Sequence, residues 1–194
     1  MAKFETRESL ILRLKNNQDD TSWEQFVVHY RPYICAVARN LGIAEDDIDD
    51  IAQQVTLKAW EKLPEFDYNR NFGRFKNWLA QVVRNIVMSY NRGLQREQNK
   101  LENFSQNLEE MQDSEFEELA ERQWKLTIGE MAWENIKDRF SEDAVSCFEL
   151  LNAGLKNKEI AARLNLKENT VAVFKKRIVS SLQKEILQLE ASLS

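Results

Sequence analysis

Cysteine, histidine, proline and glycine are all scarce in this chain, and each scarcity removes a class of chemistry. Among 194 residues there are two cysteines and one histidine. Cys35 and Cys147 lie too far apart to form the closely spaced ligand pairs of a zinc site. They read as small core hydrophobes in a reducing compartment. His29 alone supplies neither a catalytic dyad nor a metal cluster, and no phosphate loop is present. The sequence therefore predicts a protein that is not an enzyme, with no catalytic residue, no metal and no cofactor. With two prolines and five glycines in a chain rich in Leu, Glu, Lys, Gln and Ala, there are few breaks and no useful β-alternation. An all-α fold follows. Residues 1–10 are charged throughout and no apolar run approaches membrane-spanning length, which predicts no signal peptide, no membrane insertion and a cytoplasmic location.

The overall charge of −5 has the wrong sign for a simple nucleic-acid binder. Its distribution is more telling. Residues 69–96 hold six basic side chains and no acidic one, and residues 156–185 hold eight basic and three acidic, whereas residues 93–125 hold four basic and nine acidic. Two positive surfaces separated by a negative connector suit a protein that grips DNA at two places. The length allows two small domains, and the expected organisation is residues 1–97, a connector at 98–127, and residues 128–194.

The second positive stretch, KNKEIAARLNLKENTVAVFKKR from Lys156 to Arg177, has helix-turn-helix spacing. Ile160, Leu164, Leu166, Val171 and Phe174 fall where two short, steeply crossed helices bury one shared face, and Ala161 lets them approach. Asn165 stands at the bend, where a non-glycine residue must tolerate the left-handed conformation. Lys167, Asn169, Thr170, Lys175, Lys176 and Arg177 then supply the donors and charge of a helix in a major groove, with Ala172 and Val173 offering apolar contact to thymine methyls.

Upstream, Trp23 to Asn40 is apolar at helical spacing, with a kink or restart expected at Pro32. A second helix, led by Glu45, Asp46 and Asp47, buries Ile48, Ile51, Val55, Ala59 and Trp60 and closes at Pro64. An aromatic, polar loop leads into a third helix from about Phe75 to Arg92 that buries Trp78, Leu79, Val82, Val83, Ile86 and Val87. Residues 93–113 read as a linker. A capping box at Ser114–Glu117 starts the next helix, strained only at Gly129, and Ser141 caps one that stops at Gly154.

Three blocks in this order, DDIDDIAQQVTLKAW, FGRFKNWLAQVVRNIV and the helix-turn-helix, resemble the extracytoplasmic-function (ECF) class of bacterial RNA polymerase sigma factors over nearly the whole chain. The resemblance implies a region 2 bundle and a region 4 helix-turn-helix joined by the acidic linker. It also implies a transcription initiation factor whose partners are core RNA polymerase, through the β′ clamp and β flap, and promoter DNA. Asp50, Gln53 and Gln54 match the helix that docks on the clamp, although the family commonly has Glu at the last position. Asn69, Arg70, Asn71, Phe72, Arg74, Lys76 and Asn77 match the segment that captures flipped bases of the −10 element, where aromatics beside cations suit unstacked bases. Arg84, Asn85 and Asn91 match positions that contact the duplex edge and backbone. The recognition helix then corresponds to the reader of the −35 element. Control by an anti-sigma factor or by another DNA-bound recruiting complex is left open, as are the promoter sequence and the inducing signal. A helix-turn-helix regulator acting as a dimer without polymerase is the competing class.

Overall fold

The computed structural model describes Leu14 and residues 20–66, 74–97 and 111–193, and among these every regular element is helical. Two compact units result, Met1–Thr127 with Ala191–Ser194, and Ile128–Glu190.

The first unit is built on α1 (Asp20–Asn40), α2 (Ile48–Lys62) and α3 (Arg74–Glu97), each packed on the other two. Chain punctuation sets their lengths. At Gly42 the backbone takes φ of 83°, ending α1, and one 3-10 turn over Glu45–Asp47 leads into α2. Contrary to expectation, α1 runs unbroken through Pro32. The proline is exposed and the carbonyl it leaves without a helical donor belongs to Val28, itself 70% exposed, so water can take the missing bond. Phe26, Tyr30 and Phe75 form the aromatic centre, with Tyr30 and Phe75 edge to face at 5.2 Å. Trp60 does not complete the buried stripe of α2. It is 41% exposed and stacks on Trp23 with ring centroids 5.3 Å apart.

The next helix, α4 (Asp113–Ile136), begins one residue before the capping box foreseen at Ser114; Glu115, not Glu117, reaches back, accepting from the Gln112 amide at 3.3 Å. Residues 113–127, assigned by sequence to the connector, are helical and cluster with the first unit, and the division between units falls within α4. Phe116, Leu119, Ala120 and Trp124 are buried; Trp124 meets Tyr33 edge to face at 5.1 Å, and the Tyr33 hydroxyl donates to the Ala120 carbonyl at 3.4 Å. Burial, and then the Glu121 charge, pushes the Tyr33 phenol well above the usual tyrosine range.

The second unit takes the remainder of α4 with α5 (Glu142–Asn152), α6 (Asn157–Arg163) and α7 (Glu168–Leu193). Ser141 precedes α5 but makes no side-chain cap, and its carbonyl takes the Val145 amide at 3.0 Å. Gly154, at φ of 88°, stops α5 as expected. Cys147, Ile160, Ala161 and Val171 form the core, flanked by Leu164, Leu166 and Phe174. Trp133 packs on Phe148 at 4.4 Å. Glu185 of α7, 6% exposed, accepts from Asn135 Nδ2 at 2.9 Å, with Arg139 at 3.9 Å.

Candidate nucleic-acid interface

The turn between α6 and α7 carries its one left-handed non-glycine residue at Asn165, φ of 53°. Leu166 donates to the Ala161 carbonyl at 2.9 Å across that bend, and the Glu159 carboxylate accepts from the Lys156 amide at 2.7 Å at the start of α6. Because α7 spends Val171 and Phe174 on the shared core, its other faces are free to point outward. Lys167, Asn169, Ala172, Lys175, Lys176 and Arg177 are exposed, Val173 is 53% exposed and Thr170 is half-buried. All eight residues read from the sequence therefore belong to one solvated segment around a rigid bend.

The first unit is less uniform. Asp50, Gln53 and Gln54 are exposed on α2. Their acidic neighbours are already paired: Asp49 accepts from Arg31 at 2.6 Å, Glu45 accepts from Arg39 Nη2 and Nε at 2.6 and 2.8 Å, and Asp47 lies against the Tyr90 hydroxyl. Burial, then that Asp47 contact, raises the Tyr90 phenol, while the Arg39 hydrogen bond holds the Glu45 carboxyl below its usual value.

Between α2 and α3 runs a groove of about 690 Å3. Phe66, Trp78, Val82 and Ile86 give it an apolar floor, and Gln54, Lys58, Lys62, Asn85 and Ser89 give it polar edges. Trp78 lies 5.2 Å from Phe66 and 5.4 Å from Phe75, so an aromatic ledge ends the groove on the side where the loop enters α3. Lys58 and Lys62 pair with Glu61 at 2.8 Å and Glu65 at 3.1 Å. Such exposed pairs are worth about 0–1 kcal/mol and yield readily to a stronger anion. Sequence reading missed both lysines and placed Trp78, Val82 and Ile86 wholly in the core. The available signal was the spacing of 78, 82, 86 and 89, an apolar stripe beside the fully buried one of Leu79, Val83 and Val87.

Asn69, Arg70, Asn71 and Phe72 lie outside the described residues, and so does the side chain of Arg74, the first residue of α3. Asn77 and Asn85 are exposed, and Asn91 is half-buried with a buried Nδ2 that has no hydrogen-bond partner. Lys76 and Arg84 are turned inward in this structure. Arg84 is 8% exposed, donating to Asp113 at 2.8 Å and to the Met111 carbonyl at 2.7 Å, with its guanidinium 4.9 Å from the Phe116 ring. Lys76 donates to Glu121 at 2.5 Å and sits 5.8 Å from the Trp124 ring. The Lys76 hydrogen bond is the main reason that the Glu121 carboxyl lies below its usual value. Both cations face α4 because a buried charge requires a partner.

Residues 26–97, which contain the groove and the acidic helix, match the sigma-70 region 2 family model. Residues 138–188 match the model for bacterial regulatory proteins of the luxR family, the helix-turn-helix part. Among curated proteins the chain is similar to RNA polymerase sigma factor NccH of Alcaligenes xylosoxydans xylosoxydans, 30% identical over 74 residues, 38% of each chain. Over part of its length the chain is thus similar to sigma factors, with a region 2 match ahead of a helix-turn-helix match. RNA polymerase sigma factor CnrH of Cupriavidus metallidurans is 34% identical over 58 residues, 30% of this chain and 29% of that one. The matches thus span between 29% and 38% of these relatives' lengths. The solved structure of CnrH in complex with the cytosolic domain of CnrY aligns over 93% of this chain and 96% of that one, at 20% identity and a TM-score of 0.38. No helix among the described residues is long and apolar enough to cross a membrane.

Proposed function

We propose that this protein is a bacterial transcription initiation factor that binds core RNA polymerase and directs it to promoters, reading the −35 element as duplex and capturing the melted −10 strand, without catalysing a reaction of its own. The observation that carries this reading is a region 2 unit and a helix-turn-helix in one chain, each with an exposed face suited to a different state of DNA. The α7 segment offers charge and short side chains to a duplex groove. The groove between α2 and α3 offers an aromatic ledge, an apolar floor and two weakly held lysines to unstacked bases and their phosphates. Asp50, Gln53 and Gln54 face solvent in the first half of α2 as the docking surface for the β′ clamp, and the helix-turn-helix unit is the part that meets the β flap. A cytoplasmic location and control by an anti-sigma factor or a DNA-bound recruiting complex accompany the reading.

The test is transcription in vitro with purified core polymerase and a promoter library, preceded by gel filtration with core. Co-elution and a selected two-part promoter are expected; a dimer that ignores core and protects two equal half-sites contradicts the proposal. Within the complex, Asp50→Arg is expected to weaken core binding by about 2 to 5 kcal/mol while leaving the isolated fold intact, because it sets a cation against a basic partner.

A further inference from the structure

We infer that the first half of α4 is an acidic cover on the flank of α3, holding Arg84 and Lys76 away from DNA until a polyanion displaces it; the inference rests on the promoter-melting reading of α3. Two carboxylates of α4 occupy the two cations, Asp113 on Arg84 and Glu121 on Lys76. Arg84 Nη1 donates to the Asp113 carboxylate at 2.8 Å and Nη2 to the Met111 carbonyl at 2.7 Å, two donors that a single phosphate can take together. Asp113 is 88% exposed, so an incoming phosphate meets its rival where water already screens the pair. The closed seam also leaves Arg84 Nε and Trp124 Nε1 buried without a hydrogen-bond partner. A seam that never opened would be expected to satisfy such donors, and a phosphate on Arg84 gives Nε its acceptor. Phe116, Leu119 and Trp124 bury the apolar side and make the closed form the resting one. This helix falls between the two family matches, which stop at residue 97 and resume at 138, so the cover lies in neither matched domain.

The test uses the full chain and a short labelled single-stranded DNA. Asp113→Asn with Glu121→Gln is expected to bind it about tenfold more tightly and to steepen the salt dependence by about 1.4 units, roughly 0.7 for each cation released to a phosphate. Glu117→Gln with Glu118→Gln removes two exposed carboxylates from the same helix and measures bulk electrostatics alone, with no change in slope. Equal gains and equal slopes in the two variants overturn the inference. On the unaltered chain, amide exchange across residues 113–124 is expected to accelerate when the DNA binds while residues 48–62 stay protected. Unchanged protection with DNA bound overturns the cover even where a variant fails to fold. The promoter reading fails by a different sign: Trp78→Ala and Asn85→Ala leaving DNA binding unaltered.

Discussion

In the helix-turn-helix the cations named by the sequence are on the surface, whereas on α3 two of them are spent inside the protein. Both segments are basic and both belong to helices, so charge alone does not separate them. The difference lies in how many neighbours each helix has. The reading segment of α7 spends Val171 and Phe174 on a small core, and its remaining faces meet water. By contrast α3 packs on α1 and α2 and lies beside α4, whose carboxylates answer Arg84 from 29 residues away and Lys76 from 45. A cation on a lightly packed helix is available by default; on a helix packed on several sides its availability depends on the sequence of its neighbours.

The strongest way to sharpen that comparison is to damage one unit and watch the other. Trp124→Ala should cost the first unit about 3 to 5 kcal/mol by cavity formation while the helix-turn-helix unit keeps its own transition in urea; a common loss in both units would break the comparison. A smaller effect separates the two kinds of cation. Arg84→Ala should lower stability by about 1 to 3 kcal/mol through lost hydrogen bonds to Asp113 and Met111, whereas Lys176→Ala should change it by less than about 0.5 kcal/mol. Equal costs would mean that burial does not distinguish them.

Function divides the α7 residues further. Thr170→Ala should relax base preference at one −35 position by about 1 to 3 kcal/mol, while Lys176→Ala should weaken all sequences alike and reduce the salt slope by about 0.9. Selection of −35 sequences at several salt concentrations checks both. The gentlest probe is alkali. Tyr33 is held neutral in the fold above its ordinary value of 10.0, mainly by burial and then by Glu121, so its contribution is complete below that pH and is lost above it. Through Tyr33 the first unit should lose about 1.4 kcal/mol per pH unit beyond about 10, with the share of tyrosinate absorbance that Tyr33→Phe removes appearing only on unfolding. Tyr33→Phe should flatten that dependence.

How much of this was legible in advance follows the same logic of neighbours. The bend at Asn165, the stop at Gly154 and the core of the helix-turn-helix were readable because all their determinants lie within about twenty residues of one another. Pro32 misled because its rule describes a lost donor and omits the water that replaces it at exposed Val28. Trp60 misled because periodicity places it toward the core without revealing that Trp23 would meet it at the rim. The inward pairing of Lys76 and Arg84 was not legible because nothing local marks Glu121 and Asp113 as their partners. The groove was half legible: Asn85 and Gln54 were named for separate roles, and only the pairing of α2 with α3 brings them to one opening.

The Trp23 and Trp60 pair supplies an optical consequence. Two indoles 5.3 Å apart and within 15° of parallel are close enough for their transitions to couple, and one of them is partly open to water. Trp60 sits two helical turns beyond Gln53 on α2, near the face proposed above for polymerase docking. Should a partner dock on that face, drying of the Trp60 indole is expected to shift emission and near-ultraviolet dichroism together. The pair would serve as an unlabelled readout of such docking, and Trp60→Phe is the variant expected to remove it.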